Sequence, residues 1–308
     1  MYDYDFSHLF GKYLGTTGNS AKVKAFRNYI KKLFKENEIF SSALDVQDEF
    51  LSFYPTWIES SKLNTVTGLD TFPYKFVSLG TTQTLDWFIF NALSNQRTLR
   101  FFRGEYPYNR DIFNFDYNNN FIDDRPLEKG DSVIISAPFS GTGNMHEDYD
   151  SLMLKCDELD IPVMVDCAWF GTCYDMDIKL NYDCIKVVAF STTKGLNTGD
   201  YRAGIAFSKW NDGPLAIQTQ WHHGIHLNLY LSLALMKEFS PDTVPNLYKD
   251  IQHEVCNWYN LAPSKTVHIT TTLDDMPDWD YFLRDGVYVR VNIKDILLDN
   301  YEKRDWQR

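Results

Sequence analysis

Ala189-Phe190-Ser191-Thr192-Thr193-Lys194-Gly195-Leu196-Asn197-Thr198-Gly199-Asp200-Tyr201-Arg202-Ala203-Gly204 is the stretch on which the fold turns. It opens at the end of an apolar, β-rich run, Ile185 to Phe190. A lysine placed just beyond a buried strand has its ammonium partly desolvated, which lowers its pKa and frees an amine for a carbonyl. That is what a Schiff-base lysine needs. Ser191 and Arg202 flank Lys194 with a hydroxyl and a guanidinium, a pair able to hold a phosphate. Taken alone, an exposed loop lysine beside a surface arginine accounts for the same letters.

Working outward, short β-rich runs alternate with helix-like stretches from about residue 76 to 208, the rhythm of a sheet covered by crossover helices. Strands are expected at Phe76 to Leu79, Thr98 to Arg103, Ser132 to Ala137, Ile161 to Asp166, Ile185 to Phe190 and Ala203 to Ser208. Helices are expected at Thr82 to Leu93 and His146 to Leu159, the second with acidic residues at its start. In the flanks, Ala21 to Phe34 and Leu227 to Phe239 read as helical, and Thr266 to Thr272 and Val287 to Ile293 as strands. The pattern divides the chain into 1–70 (N-terminal segment and part of a small domain), 71–215 (a large α/β domain) and 216–308 (an interdomain helix and the rest of the small domain).

Two further pieces carry possible chemistry. In Ile161-Pro162-Val163-Met164-Val165-Asp166-Cys167-Ala168-Trp169, Asp166 ends an apolar strand, a costly place for a carboxylate unless it meets a cation such as a protonated pyridine nitrogen. An aspartate bonded to loop backbone is the alternative. In Phe76-Val77-Ser78-Leu79-Gly80-Thr81-Thr82-Gln83, a strand, a glycine turn and a helix start expose amides that cradle phosphate, although such a turn also serves as an ordinary N-cap.

These three pieces, in this order, resemble the fold type I enzymes dependent on pyridoxal 5′-phosphate (PLP), specifically the class I/II aminotransferases. The matching residues are Gly80-Thr81, Asp166-x-Ala168-Trp169, Ser191-x-x-Lys194 and Arg202, and the likeness is specific over roughly residues 76 to 208. The resemblance implies an α/β fold with a mostly parallel sheet in a large domain, a smaller α+β domain, and a homodimer with shared active sites. It implies that Lys194 holds PLP as a Schiff base and serves as catalytic base, and that Asp166 bonds the ring nitrogen. Ala168 would pack on one ring face, while Gly80, Thr81, Thr82, Ser191 and Arg202 hold the phosphate. Tyr108, or alternatively Tyr106, would stack on the other face. Arg290, in Asp285-Gly286-Val287-Tyr288-Val289-Arg290, would clamp a substrate α-carboxylate through its bidentate fork; an arginine on the exposed side of an edge strand is the other reading.

Two departures stand out. Where the family supplies an asparagine to the cofactor's phenolic oxygen, Pro138-Phe139-Ser140-Gly141 places Ser140; where it supplies a tyrosine to the same oxygen, this chain has Trp169. Either side chain can still donate a hydrogen bond. The activity implied is transfer of an amino group between an amino acid and a 2-oxo acid. A PLP-dependent lyase (β-elimination or decarboxylation), or a PLP-binding protein without turnover, are the alternatives.

Composition narrows the rest. The chain of 308 residues is 44% hydrophobic and 23% charged, enough for one large or two modest cores. A formal charge of −12 argues against nucleic acid and anionic membranes as partners. Five cysteines, without a Cys-x-x-Cys pair, read as packed thiols in a reducing compartment, with the cytoplasm as the default location. His222, His223 and His226 lie close together but lack a carboxylate or cysteine at ligand spacing, so no metal site is expected. Leu227 to Leu235 is apolar on more than one face, which suits either a second subunit or a place between domains.

Overall fold

In a computed structural model, the residues described are 14–18, 20–36, 46–112, 120–272 and 277–305. In chain order the elements are α1 (Lys24–Lys35), α2 (Val46–Glu59), β1 (Thr65–Thr67), β2 (Tyr74–Ser78), α3 (Thr81–Ser94), β3 (Thr98–Arg100) and α4 (Tyr108–Asp111). Then follow β4 (Asp131–Ser136), α5 (Tyr149–Leu159), β5 (Val163–Cys167), β6 (Asp177–Lys179), β7 (Ile185–Ser191), the one-turn α6 (Thr192–Gly195) and β8 (Gly204–Ser208). The remainder comprises α7 (Gly213–Gln220), α8 (His226–Glu238), α9 (Thr243–Tyr259), β9 (Leu261–Pro263), β10 (Ile269–Thr272), β11 (Leu283–Arg284), β12 (Tyr288–Val289), β13 (Val291–Asn292) and α10 (Lys294–Asp305).

The main sheet has six strands in the order β2-β8-β7-β5-β4-β3. Pairs β3/β4, β4/β5 and β5/β7 are parallel, whereas β8 runs antiparallel to both β2 and β7. This is the α/β class with a mostly parallel sheet. Every residue of β4, β5 and β8 is buried, as expected of strands covered on both faces and rich in Val and Ile. One face packs the larger core, including Val133, Ile135, Val163, Val165 and Val188; the other packs α3 through Leu85, Phe88 and Ile89 against Ile134, Met164 and Val187.

The topology delivers loops to one place. Because β8 is the reversed strand of this sheet, β2, β3, β4, β5 and β7 all end on the same side, and β8 begins there. In open α/β sheets, ligands bind in the crevice beyond such carboxyl ends. Thr81, Ser140, Asp166, and Lys194 with Arg202 therefore come from four separate stretches to one rim.

A three-stranded sheet, β13-β10-β9, and the hairpin β11-β12 form the C-terminal part. There α9 lays Val244, Tyr248, Ile251 and Val255 on one stripe at steps of four, three and four, all buried. The expected strand from Val287 to Ile293 is split at Arg290, whose backbone amide turns to Phe282 O at 3.1 Å. Helix α8 matches its expected span, and it packs on α1 and α2 of its own chain with Leu229, Leu231, Leu233 and Leu235 buried. No helix is long and apolar enough to cross a membrane among the described residues. The five cysteines are buried, free thiols.

Candidate active site

Short-range chemistry fixes the lysine first. Ser191 caps the single turn of α6, its Oγ accepting from Thr193 N at 3.0 Å, so β7 runs directly into the turn that carries Lys194. Lys194 Nζ lies in the pocket and donates to Gly18 O at 2.8 Å. Burial, then the neighbouring charge of Arg290, lowers its pKa from the ordinary lysine value to about 8, against the opposing pull of Asp166. A free-amine fraction thus exists near neutrality. Reductive labelling of the apoprotein with a small aldehyde, followed by peptide mapping, should modify Lys194 with a midpoint near pH 8, because only the neutral amine attacks.

Asp166 sits on β5 with 5% of its surface exposed. Its Oδ1 accepts from Ala168 N at 3.0 Å, and the Thr81 hydroxyl bonds the same carboxylate. Burial outweighs these contacts and raises its pKa to about 6. No ion pair with Asp166 is formed among the described residues. A cation placed against it would reverse the burial penalty.

At the rim, Arg202 donates from Nε to Leu79 O at 3.1 Å and from Nη2 to Thr82 Oγ1 at 3.1 Å, spanning β2 and α3. Gly80, at φ 86°, makes this approach possible: a Cβ there would stand 3.1 Å from Arg202 Nη2. Thr81, Thr82, Ser191, Thr193 and Arg202 line the same pocket, so hydroxyls, a guanidinium and the start of α3 converge.

Arg290 is buried to 3% exposure; its Nη1 donates to Thr16 O at 2.9 Å and its Nε has no partner among the described residues. Arg284 donates from Nη1 to Ser140 Oγ at 3.0 Å and to Ser140 O at 3.3 Å. Neither guanidinium has an ion pair among the described residues. Arg100 shows the contrast. Buried like Arg290, it is held by Asp131 at 2.7 Å and by four backbone carbonyls, a fully satisfied structural ion. Arg284 and Arg290 instead face a cavity, which continues outward past Tyr106, Pro107 and Arg110.

Trp169 has two cations near its ring, with Lys194 Nζ 5.3 Å and Arg290 Cζ 5.0 Å from the ring centre. Behind it, His268 is edge-on at 5.4 Å, wholly buried, and held neutral by burial and by the nearby positive charges.

Eleven of the residues singled out in the sequence line this one pocket: Thr81, Thr82, Tyr106, Ser140, Asp166, Ala168, Trp169, Ser191, Lys194, Arg202 and Arg290. Gly80 stands beside it, under Arg202. Tyr108 does not reach it and requires correction. As the first residue of α4 it turns away, its hydroxyl bonded to Asp86 at 2.5 Å and its ring stacked 5.9 Å from Tyr106, which does line the pocket. Sequence reasoning missed Gly18, Ser136, Pro138, Thr193 and Arg284. Arg284 had one available signal, since Asp285-Gly286 is a hairpin turn that folds Arg284 back opposite Tyr288, near Arg290. His222, His223 and His226 are exposed and outside the pocket; no group of three His, Cys, Asp or Glu side chains could hold a metal among the described residues.

No protein-family model and no curated protein sequence matches the chain. Solved structures do. An aminotransferase from Mycobacterium tuberculosis superposes with TM-score 0.61 at 12% identity, covering 98% of this chain and 93% of that one. A probable N-succinyldiaminopimelate aminotransferase from Thermus thermophilus gives 0.60 at 12% identity, over 94% and 92%. A PLP-bound C-S lyase from Staphylococcus hominis gives 0.62 at 9% identity, over 98% and 93%. The architecture is fold type I. At these identities the likeness concerns architecture alone, and the chemistry must rest on the residues themselves.

Those residues fit a phosphorylated pyridine aldehyde. The pocket offers a desolvated amine, a buried carboxylate without an ion pair, and a rim guanidinium with hydroxyls and free helix amides around it. Each is a group that PLP needs, and each lacks a charged partner of its own among the described residues.

Proposed function

We propose that this chain is a PLP-dependent aminotransferase that moves an amino group between an amino acid and a 2-oxo acid. The observation that carries the reading is the meeting of Lys194, Asp166, Arg202 and Arg290 in one pocket at the strand ends, four charged groups with no ion pair among the described residues.

Bound PLP supplies a conjugated electron sink that stabilises negative charge at a substrate carbon. Lys194 would hold the cofactor through Nζ and would carry the proton to and from the substrate Cα, a task suited to an amine with its pKa lowered to about 8. Asp166 would keep a proton on the ring nitrogen. Arg202, Ser191 and Thr82 would hold the phosphate, and Arg290, which lines the same pocket, would offer its guanidinium to a substrate carboxylate. A retained carboxylate favours chemistry at the Cα proton over loss of carbon dioxide.

Purified protein loaded with PLP and offered a panel of amino acids tests this: an amine-loaded cofactor spectrum with release of the matching 2-oxo acid is expected. Pyruvate with ammonia would instead identify a lyase, and an unchanged spectrum across the panel a binder without turnover. Arg290→Ala should raise the apparent KM for the amino acid roughly 10- to 100-fold, from loss of a charge-assisted pair of about 1.5–3 kcal/mol, while leaving PLP affinity within a few fold. Equal losses in both would remove Arg290 from the carboxylate role.

A further inference from the structure

Glu105 belongs to no motif that drew attention in the sequence, and its carboxyl stands in a costly place. It is 3% exposed, on the loop between β3 and α4, with no ion pair among the described residues. Its contacts account for the burial. β3 stops at Arg100, opposite Val133, while β4 runs on to Ser136, so the end of β4 outruns its neighbour. The Glu105 side chain takes the place of the missing strand there: Oε1 accepts from Ser136 N at 2.6 Å and from Ser136 Oγ at 2.9 Å, and Oε2 accepts from Tyr106 N at 2.9 Å.

Ser136 is also the residue of β4 that pairs in register with Asp166 on β5. A continuous tie therefore runs from Asp166 through the Ser136 backbone and the Glu105 carboxyl to the Tyr106 amide. Asp166, Ser136 and Tyr106 line the pocket, and Glu105 stands behind them. A carboxyl accepts from both amides in either protonation state, because each oxygen keeps a lone pair; a carboxamide accepts from one and opposes the other with its own N–H.

We propose that Glu105 is a positioning residue that acts through Tyr106: it sets where the Tyr106 ring stands in the pocket relative to Asp166. The effect on turnover rests on the reading of this pocket as a PLP site; the tie itself does not. Burial raises the Glu105 carboxyl to about 7, against the hydrogen bonds from Ser136 and Tyr106, and the charge of Asp166 adds to the rise. The charged groups facing it are Asp166 on β5 and Arg284 on β11. A released, solvated Glu105 would titrate at its ordinary value of 4.5, so the tied state keeps a proton that the released state gives up between there and about 7. Release is favoured as pH rises through that window and is level above it.

Hydrogen exchange on the apoprotein, with each rate corrected for the pH dependence of an unprotected amide, reads the tie. In the wild type, protection of peptides spanning 104–108 and 136–140 should fall roughly 10- to 100-fold from about pH 5 to about pH 7 and stay level above that. Glu105→Gln should start lower and show no fall, whereas Asp166→Asn should keep the fall, which separates the two carboxyls. On the PLP-loaded enzyme, Glu105→Gln should lower kcat/KM roughly 10-fold, and by less than about twofold when Tyr106 is already alanine. Equal losses in both backgrounds, or a flat wild-type exchange profile, overturns the proposal. If Glu105→Gln does not fold, Ser136→Ala removes one donor from the same carboxyl and should move the upper end of the fall up by about one pH unit; no movement overturns it equally. A wild type without any lysine-dependent band fails the parent reading alone, and the exchange arm, which needs no cofactor, still decides the tie.

Discussion

Lys194→Ala is expected to lower the transfer rate roughly 10⁴-fold and to abolish the absorbance band that depends on the lysine, because in the proposed function one residue serves as both anchor and proton carrier. The fold should survive. Lys194 makes one side-chain hydrogen bond among the described residues, to Gly18 O, and desolvation of its ammonium is a cost that alanine removes. Thermal unfolding of the apoprotein should therefore be unchanged or slightly improved. The proposed phosphate rim, Arg202, Thr82 and Ser191, is separate from the lost amine, so PLP should still bind as the free aldehyde. Methylamine added to the variant should restore part of the proton transfer. A band that persists in Lys194→Ala at wild-type strength would refute the assignment.

The second large effect is expected at Asp166. Asp166→Asn keeps the volume and an oxygen to accept from Ala168 N, but it cannot carry the negative charge that steadies a protonated ring. Removing one partner of a buried ion pair costs about 3–5 kcal/mol. At 1.36 kcal/mol per decade, kcat/KM should fall roughly 10²- to 10⁴-fold. Loss of binding should be much smaller, since the phosphate contacts remain. The wild-type carboxyl, raised to about 6 in the apoprotein by burial, should drop once a cation binds against it. Cofactor affinity should accordingly weaken as pH falls through that value, and Asp166→Asn should show no such dependence. Titrating PLP affinity against pH in both proteins would measure this.

How much could be read from the letters depends on which interactions are local. The strands at Ser132 to Ala137 and Ile185 to Phe190 were legible because β-branched residues buried on both faces need no distant partner to declare themselves. Lys194, Asp166 and Arg202 were legible because each follows or precedes such a strand at short spacing, and parallel topology then gathers strand ends automatically. Tyr108 against Tyr106 could not be decided, because two tyrosines two residues apart point differently only once α4 forms and Asp86 captures one hydroxyl. Arg284 was invisible for a similar reason: its partner, Ser140, lies 144 residues away. The break of the last strand at Arg290 depends on a bond to Phe282 O and on the N-terminal segment, neither of which leaves a periodic trace. Helix α8 looked apolar on several faces because α1 and α2 cover it from different sides.

The stretch from Gly15 to Gly18 has a consequence for how the molecule is made. Gly15 exchanges backbone hydrogen bonds with Asn292 at 3.0 and 2.8 Å, Thr16 O receives Arg290, and Gly18 O receives Lys194. On a ribosome this stretch emerges long before the strands it leans on, and two of its three anchors are the last part of the pocket to be synthesised. The sheet can assemble as soon as β8 has emerged, but the wall formed by Gly15 to Gly18 has nothing to clasp until Arg290 and Asn292 follow. Until then Gly15 and Thr16 lack the Asn292 and Arg290 contacts that hold this wall in the folded chain.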